Sequence, residues 1–269
     1  MPLTKRGGWS YGHPPNTQFT LNRQSPQSRG LVAWWPMIGD RGASTVRNYG
    51  RSLDGTYAAG QVSGPSTWGT LPSFDAGGGY VDITGFSGTG GIWTFSAWMN
   101  STTASNNQYL ADFQTGRLVI AHAANVASIS YYDGGWHDIA AAVADSEWHL
   151  ETWVLNGPAN LGIIYRDAVS LGSDTYSGAN PGGAASVIGA RYNGSQAQAF
   201  LGFMADIRIY NRALSAAEVW AMYDPATRWE LYAPVMPQFY VLAPAGGWPF
   251  SPVWQGRGVV GSSIVRGVR

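Results

Sequence analysis

From Gly30 onward the chain is built of short runs in which apolar and polar positions alternate, divided by clusters of Gly, Asn, Asp and Pro. In WTFSAWMN, Trp93, Phe95, Ala97 and Met99 fall on one face of an extended strand, because successive side chains point to opposite sides. In DIRIY, Ile207 and Ile209 share one face and Asp206, Arg208 and Tyr210 the other. The same texture predicts strands at Leu31–Pro36, Gly79–Ile83, Trp93–Asn100, Tyr109–Phe113, Arg117–His122, Ser128–Tyr132, Ile139–Ala144, Glu147–Val154, Gly162–Arg166, Ser186–Ala190 and Phe200–Tyr210. YYDGGW and LNGP are turn signals between them. Strands at this spacing indicate an all-β, two-sheet antiparallel sandwich or jelly roll.

One segment changes period. NRALSAAEVWAMYD places Ser215 as an N-cap with Glu218 three residues later, a capping box. Leu214, Val219 and Met222/Tyr223 then recur at helical spacing, and Pro225 ends the run. A single short helix is therefore expected after the last long strand.

The two ends lack either periodicity. Residues 1–29 carry Pro14, Pro15 and Pro26 among Asn, Gln, Ser and Thr, and read as an extended arm. Residues 226–269 include PVMPQFYVLAPAGGWPFSPVW, an uncharged stretch with five prolines and five aromatics (Phe239, Tyr240, Trp248, Phe250 and Trp254). Proline keeps such a tail extended and out of a central strand, and ordering it requires a large complementary surface. The expected division is thus arm 1–29, jelly roll 30–225 and tail 226–269.

Charge sharpens this division. The 269-residue chain is neutral overall. The arm holds Lys5, Arg6, Arg23 and Arg29 without an acid, whereas residues 30–223 hold 8 Arg and 14 acids, a net of −6. Ends of opposite charge to the body suit contact with another surface, through Lys5, Arg6, Trp9, Tyr11 and Arg23 in the arm and the five tail aromatics. Solvated ends, or a tail folded back on its own domain, are the competing readings. An acidic body with four basic residues in the arm argues against nucleic acid. The absence of cysteine excludes disulfides and thiolate chemistry. The first residues carry no apolar signal core, and no run approaches the length of a membrane span.

GFMADIRIYNRALSAAEVWAMY (202–223) resembles the closing segment of laminin-G-like, concanavalin A-like jelly-roll domains. GLVAWWPM (30–37), NYGRSLDGTYAAG (48–60), SFDAGGGYVDI (73–83), WTFSAWMN (93–100) and SEWHLETWVLNGPANLGIIYRDAVSLGS (146–173) match other parts of that family in order. With the arm and tail added, the arrangement resembles laminin-G-like proteins among the structural components of tailed phages. That resemblance implies a virion location on capsid or tail, partners such as the major capsid protein, and a homo-oligomer.

The chemistry residues are sparse. A glycosidase needs two carboxyls about 5–5.5 Å or about 6.5–9.5 Å apart. DSEWHLE offers Asp145, Glu147 and Glu151, which alternation assigns to a solvated outer face. His13, His122, His137 and His149 show no metal spacing, and His149 suits a packed structural role. No cofactor or catalytic residue is assigned. Calcium, which many laminin-G-like domains bind, would fall on Asp75, Asp82, Asp133 and Asn193. Carbohydrate is the ligand best served: Tyr131, Tyr132, Asp133 and Trp136 surround one tight turn, and Tyr192 and Asn193 lie in another. The sequence thus supports a non-enzymatic virion protein docking through its ends, or a carbohydrate-binding module, with a glycoside hydrolase third.

Overall fold

In the computed structural model the described residues run from Gln18 to Val235, without 39–44, 51–52, 58–61, 67–68, 75–78, 84, 87–89, 102–107, 114–117, 124–126, 142–145, 180–184 and 192–198. Lys5, Arg6, Trp9, Tyr11 and the tail residues Phe239, Tyr240, Trp248, Phe250 and Trp254 lie outside them, as do Asp75, Tyr192 and Asn193.

The strands are β1 (Phe19–Leu21), β2 (Leu31–Trp35), β3 (Thr45–Val46), β4 (Gly55–Tyr57), β5 (Val62–Ser66), β6 (Gly69–Phe74), β7 (Val81–Asp82), β8 (Ile92–Ser101) and β9 (Gln108–Phe113). They continue as β10 (Leu118–Ala123), β11 (Ser128–Tyr132), β12 (Trp136–Ala140), β13 (Trp148–Asn156), β14 (Leu161–Arg166), β15 (Val169–Asp174), β16 (Ser186–Ile188), β17 (Gly202–Tyr210) and β18 (Tyr232–Pro234). Helix α1 spans Ala216–Tyr223, with Ser215 and Glu218 forming the expected capping box. The front sheet runs β12-β11-β10-β9-β16-β7-β4-β3, and the back sheet β15-β14-β13-β8-β17-β6-β5, with β2 beside β17. The expected antiparallel sandwich is therefore present, with a third, two-stranded sheet of β1 and β18.

Between the sheets, alternation delivers the aromatic core. Trp93, Phe95, Phe113 and Trp153 are fully buried. Their rings meet edge to face, Trp93 on Phe113 at 5.2 Å and Phe95 on Trp153 at 5.7 Å. The Trp93 indole donates to Tyr176 Oη (2.8 Å) and that of Trp153 to the Ser130 carbonyl (3.2 Å), so burial of their polar atoms is compensated.

The outer face of the back sheet is also covered. Helix α1, β1, β18 and the 3₁₀ turn Pro26–Ser28 supply the cover. β17 carries Asp206 in a left-handed conformation (φ 52°) at a register shift against β8. Asp206 and Arg208, both 1% exposed, form the hub of this layer. Arg208 donates from Nε and Nη2 to the two Asp206 oxygens (3.0 and 2.6 Å), from Nη1 to Gln27 Oε1 (2.6 Å) and from Nη2 to the Arg228 carbonyl (3.1 Å). Trp34 Nε1 donates to Asp206 Oδ1 (2.7 Å), and Gln27 Nε2 donates to the carbonyls of Ala221 and Thr227. Burial works against the Arg208 charge, and neighbouring Asp206 more than offsets it.

This layer moves the edges of the packed unit away from 30 and 225. Residues 18–29, expected as extended arm, contribute a paired strand and the buried Gln27. Residues 226–235, expected as tail, contribute the buried Leu231 and Tyr232. Phe19, Trp34, Tyr49 and Tyr232 form one aromatic cluster that joins both ends to β2. The hairpin β5–β6 was not expected either, since its sequence is rich in Gly, Ser and Pro. β5 is an edge strand, where proline is tolerated.

Candidate functional site

The registers of the front sheet decide what its outer face presents. Trp136 pairs with Tyr132, Tyr132 with Val119, and Val119 with Asp112, so these residues form one row across β12, β11, β10 and β9. One step along lies a second row of Asp138, Ser130, Ala121 and Tyr109. Tyr109 reaches this face because β9 carries an extra residue: Ile120 pairs with Ala111 and Ala121 with Tyr109, leaving Leu110 between them. The bulge reverses the alternation and re-aims the tyrosine away from the core. Tyr109, Val119 and Ala121, with Tyr132 against them, consequently form a small apolar cluster separate from the main core.

On this cluster sits Trp136, 43% exposed. Its ring lies 5.4 Å from Tyr132 at 57° and 6.2 Å from Tyr109 at 68°. Two tyrosines thus hold an indole with much of its surface open to solvent. Arg191 places its guanidinium 5.4 Å from the Tyr109 ring centroid. Burial pushes the Tyr109 hydroxyl pKa up, against the pull of Arg191. In the second row, Asp138 Oδ1 accepts from Ser130 Oγ (2.6 Å) and Ser128 Oγ (3.3 Å). These serines fix the Asp138 carboxylate two residues along the strand from Trp136, about 7 Å away. The result is a shelf with an apolar floor, one exposed aromatic, a positioned carboxylate and a cation.

Trp136 and Tyr132 lie on the outer face of the front sheet, whereas Tyr131 and Asp133 do not. Tyr131 is fully buried on the opposite face of β11; its hydroxyl donates to the Thr175 carbonyl (2.6 Å) and burial raises its pKa. Asp133 faces inward as well. It accepts from Ser177 N (2.6 Å) and contacts His137 Nε2 (2.9 Å), while His137 Nδ1 lies 3.2 Å from Asp174. Burial raises the Asp133 pKa less than Ser177 and His137 lower it, so its carboxyl stays below the usual range. This cluster clasps edge strand β12 to β15 and closes one side of the sandwich. Both Asp133 oxygens are thus engaged, and among the described residues no group of three or more His, Asp or Glu is arranged to hold a metal. Arg23, proposed for partner contact, lies in the turn before Pro26, where its carbonyl accepts from Ser28 Oγ.

Glu151 overturns its assignment to a solvated face. It is 1% exposed, points between the sheets and meets His122 Nε2 (2.7 Å) and Arg166 Nη2 (2.6 Å). Burial would raise its pKa, and the charges of His122 and Arg166 hold it below the carboxylate range instead. A carboxylate so enclosed is a structural tie between β10, β13 and β14, not a general acid. His149, expected to pack, is about a fifth exposed and bonds Asp167 (2.6 Å).

The family description "concanavalin A-like lectin/glucanases superfamily" matches residues 75–220. The chain belongs to this superfamily. Its fold is shared, at 15% identity and a TM-score of 0.54, with domain 4 of AbnA, a GH43 extracellular arabinanase from Geobacillus stearothermophilus solved with arabinotriose. That likeness covers 72% of this chain and 98% of the other. A Trypanosoma rangeli sialidase is similar at 14% identity and a TM-score of 0.54, over 72% of this chain and 32% of the sialidase. The chain therefore spans about a third of the sialidase's length and nearly all of the arabinanase domain. No curated protein matches the sequence. The superfamily description covers both lectins and glucanases.

Tyr109, Asp138, Ser130 and Arg191 were missed in the sequence. For Asp138 and Ser130 the signal was there: alternation through SISYYDGGWHD aligns both with Trp136. For Tyr109 and Arg191 there was none, since a bulge and a long-range approach place them.

Proposed function

We propose that this domain is a non-enzymatic carbohydrate-binding module whose ligand lies across the Trp136 shelf. The observation that carries this reading is an exposed indole seated on two tyrosines, with the Asp138 carboxylate on the same strand and the Arg191 guanidinium over one of those tyrosines. A sugar ring offers C–H groups on its faces and hydroxyls at its rim. The indole takes the face; Asp138 accepts from a hydroxyl and Arg191 donates to another. The superfamily membership and the arabinotriose bound by domain 4 of the arabinanase support the same reading. The capsid-decoration reading, with virion location, major capsid protein as partner and a homo-oligomer, rests on the sequence of the two ends alone.

The test is a glycan array followed by titration of the best ligand against Trp136→Ala and Asp138→Asn. Each change should weaken binding roughly tenfold or more, equivalent to about 1.4 kcal/mol. Both positions are exposed, so melting should move little. Array binding that survives Trp136→Ala unchanged would remove the shelf from the account. Full-length protein that binds no glycan would end the carbohydrate reading.

A further inference from the structure

A second aromatic surface lies on the opposite side of the molecule, over the outer face of the back sheet. Trp98 on β8 stacks on Tyr223 at the end of α1 (5.9 Å, 19° between planes). Tyr223 in turn packs on Trp220, which is 53% exposed. Into this surface projects Arg228. Its guanidinium lies 5.4 Å from the Trp98 ring and 5.7 Å from the Trp229 ring.

Three other buried or half-buried arginines have a counter-ion. Arg166, Arg208 and Arg212 each pair with a carboxylate. Arg228 enters no ion pair among the described residues. Tyr223 and Asp224 both favour its charge, and Asp224 Oδ1 accepts from Ala226 N. Burial depresses the Arg228 pKa more than Tyr223 and Asp224 raise it. Its Nε is buried without a partner, although the residue as a whole is only half-buried. The guanidinium, held against two indoles, has no carboxylate paired with it.

A planar fork of two N–H donors matches a carboxylate better than a single hydroxyl. The flanking exposed indole of Trp220 supplies the flat apolar surface that a sugar ring covers. We propose that Arg228, with Trp98, Trp229 and Trp220, forms a second binding site, for a carboxylate-bearing sugar. The carboxylate replaces the missing counter-ion, and the ring it belongs to lies against Trp220. This site shares no residue with the Trp136 shelf, so either can fail without the other.

The probes are trigalacturonate, its fully methyl-esterified form and sialyllactose, titrated calorimetrically against the full chain. The ester keeps the ring faces and removes the charge. Trigalacturonate or sialyllactose should bind at least tenfold more tightly than the ester, and the one that binds identifies uronic or sialic acid as the source. Arg228→Gln should reduce that binding to the level of the ester, and Trp220→Ala should weaken it about fivefold. Trp136→Ala should leave it unchanged. Because Arg228 packs on buried indoles, Arg228→Lys, which keeps the charge and loses the fork, serves as a folded control; it should bind several-fold more weakly than the natural chain. Equal binding of acid and ester, no binding of either acid, tighter binding of oligoglutamate than of both sugars, or full binding by Trp220→Ala would each overturn the proposal.

Discussion

Replacing Arg208 by Met tests whether the buried hub on the back sheet is what fastens both chain ends to the sandwich. Methionine matches the aliphatic length of arginine and removes four hydrogen bonds, to Asp206 twice, to Gln27 and to the Arg228 carbonyl. Asp206 would keep Trp34 Nε1 at 2.7 Å and Tyr232 Oη at 3.5 Å, with no counter-charge. Breaking a buried ion pair from one side costs about 3–5 kcal/mol. For a domain of roughly 200 residues, 1 kcal/mol corresponds to about 2–4 °C, so melting should fall by about 10 °C. Arg212→Met is the control: its pair with Glu218 is partly exposed, and such pairs contribute about 0–1 kcal/mol. Arg208→Met combined with Asp206→Asn should lose less than the two single changes added, because no charge is left unpaired; asparagine tolerates the left-handed backbone at that position. Thermal and urea unfolding of the natural chain and the four variants supply the numbers. A loss below about 1 kcal/mol for Arg208→Met, or strict additivity in the double change, would refute the reasoning.

A chain ended after Pro225 loses Arg228, Leu231 and Tyr232 and should melt far below the full chain, whereas one ended after Val235 should melt close to it; circular dichroism distinguishes these outcomes. Glu151→Ala leaves His122 and Arg166 facing a void and should cost about 3–5 kcal/mol in urea unfolding. The Glu218 carboxyl, held down to about 2 chiefly by the Arg212 hydrogen bond, contributes stability that is complete above its unfolded value of 4.5 and lost as pH falls through about 2. Stability measured from pH 6 to about 2 should therefore fall less steeply in Glu218→Gln. Gly202→Ala should be severely destabilising, because φ is 145° and a Cβ would stand 1.9 Å from the Asn100 carbonyl.

The sandwich was legible because its strands alternate and its one helix carries a complete capping box. The site was half legible. Adjacent tyrosines on a strand point to opposite faces, so Tyr131 and Tyr132 were never both available to one ligand; strict use of alternation would have kept Tyr132 and sent Tyr131 to the core. Glu151 shows the limit of local reasoning. Its neighbours in sequence do not mark it as buried; His122 and Arg166 do, and they lie 29 and 15 residues away. Gln27 is more distant still, bonded to Arg208 across 181 residues, so nothing near residue 27 could announce that the arm ends there.

The pairing of β1 with β18 gives the domain a simple kind of portability. Val235 N donates to the Gln18 carbonyl at 3.0 Å, so the first and last described residues stand side by side on one edge. Any segment before Gln18 and any after Val235 depart from the same place. Such a unit can be spliced into a surface loop of an unrelated host with little distortion of either, presenting the front sheet to solvent on a two-stranded stem. It can also be re-cut, with new ends opened at a turn such as Asp133–Gly135 and the old ones joined by a short linker.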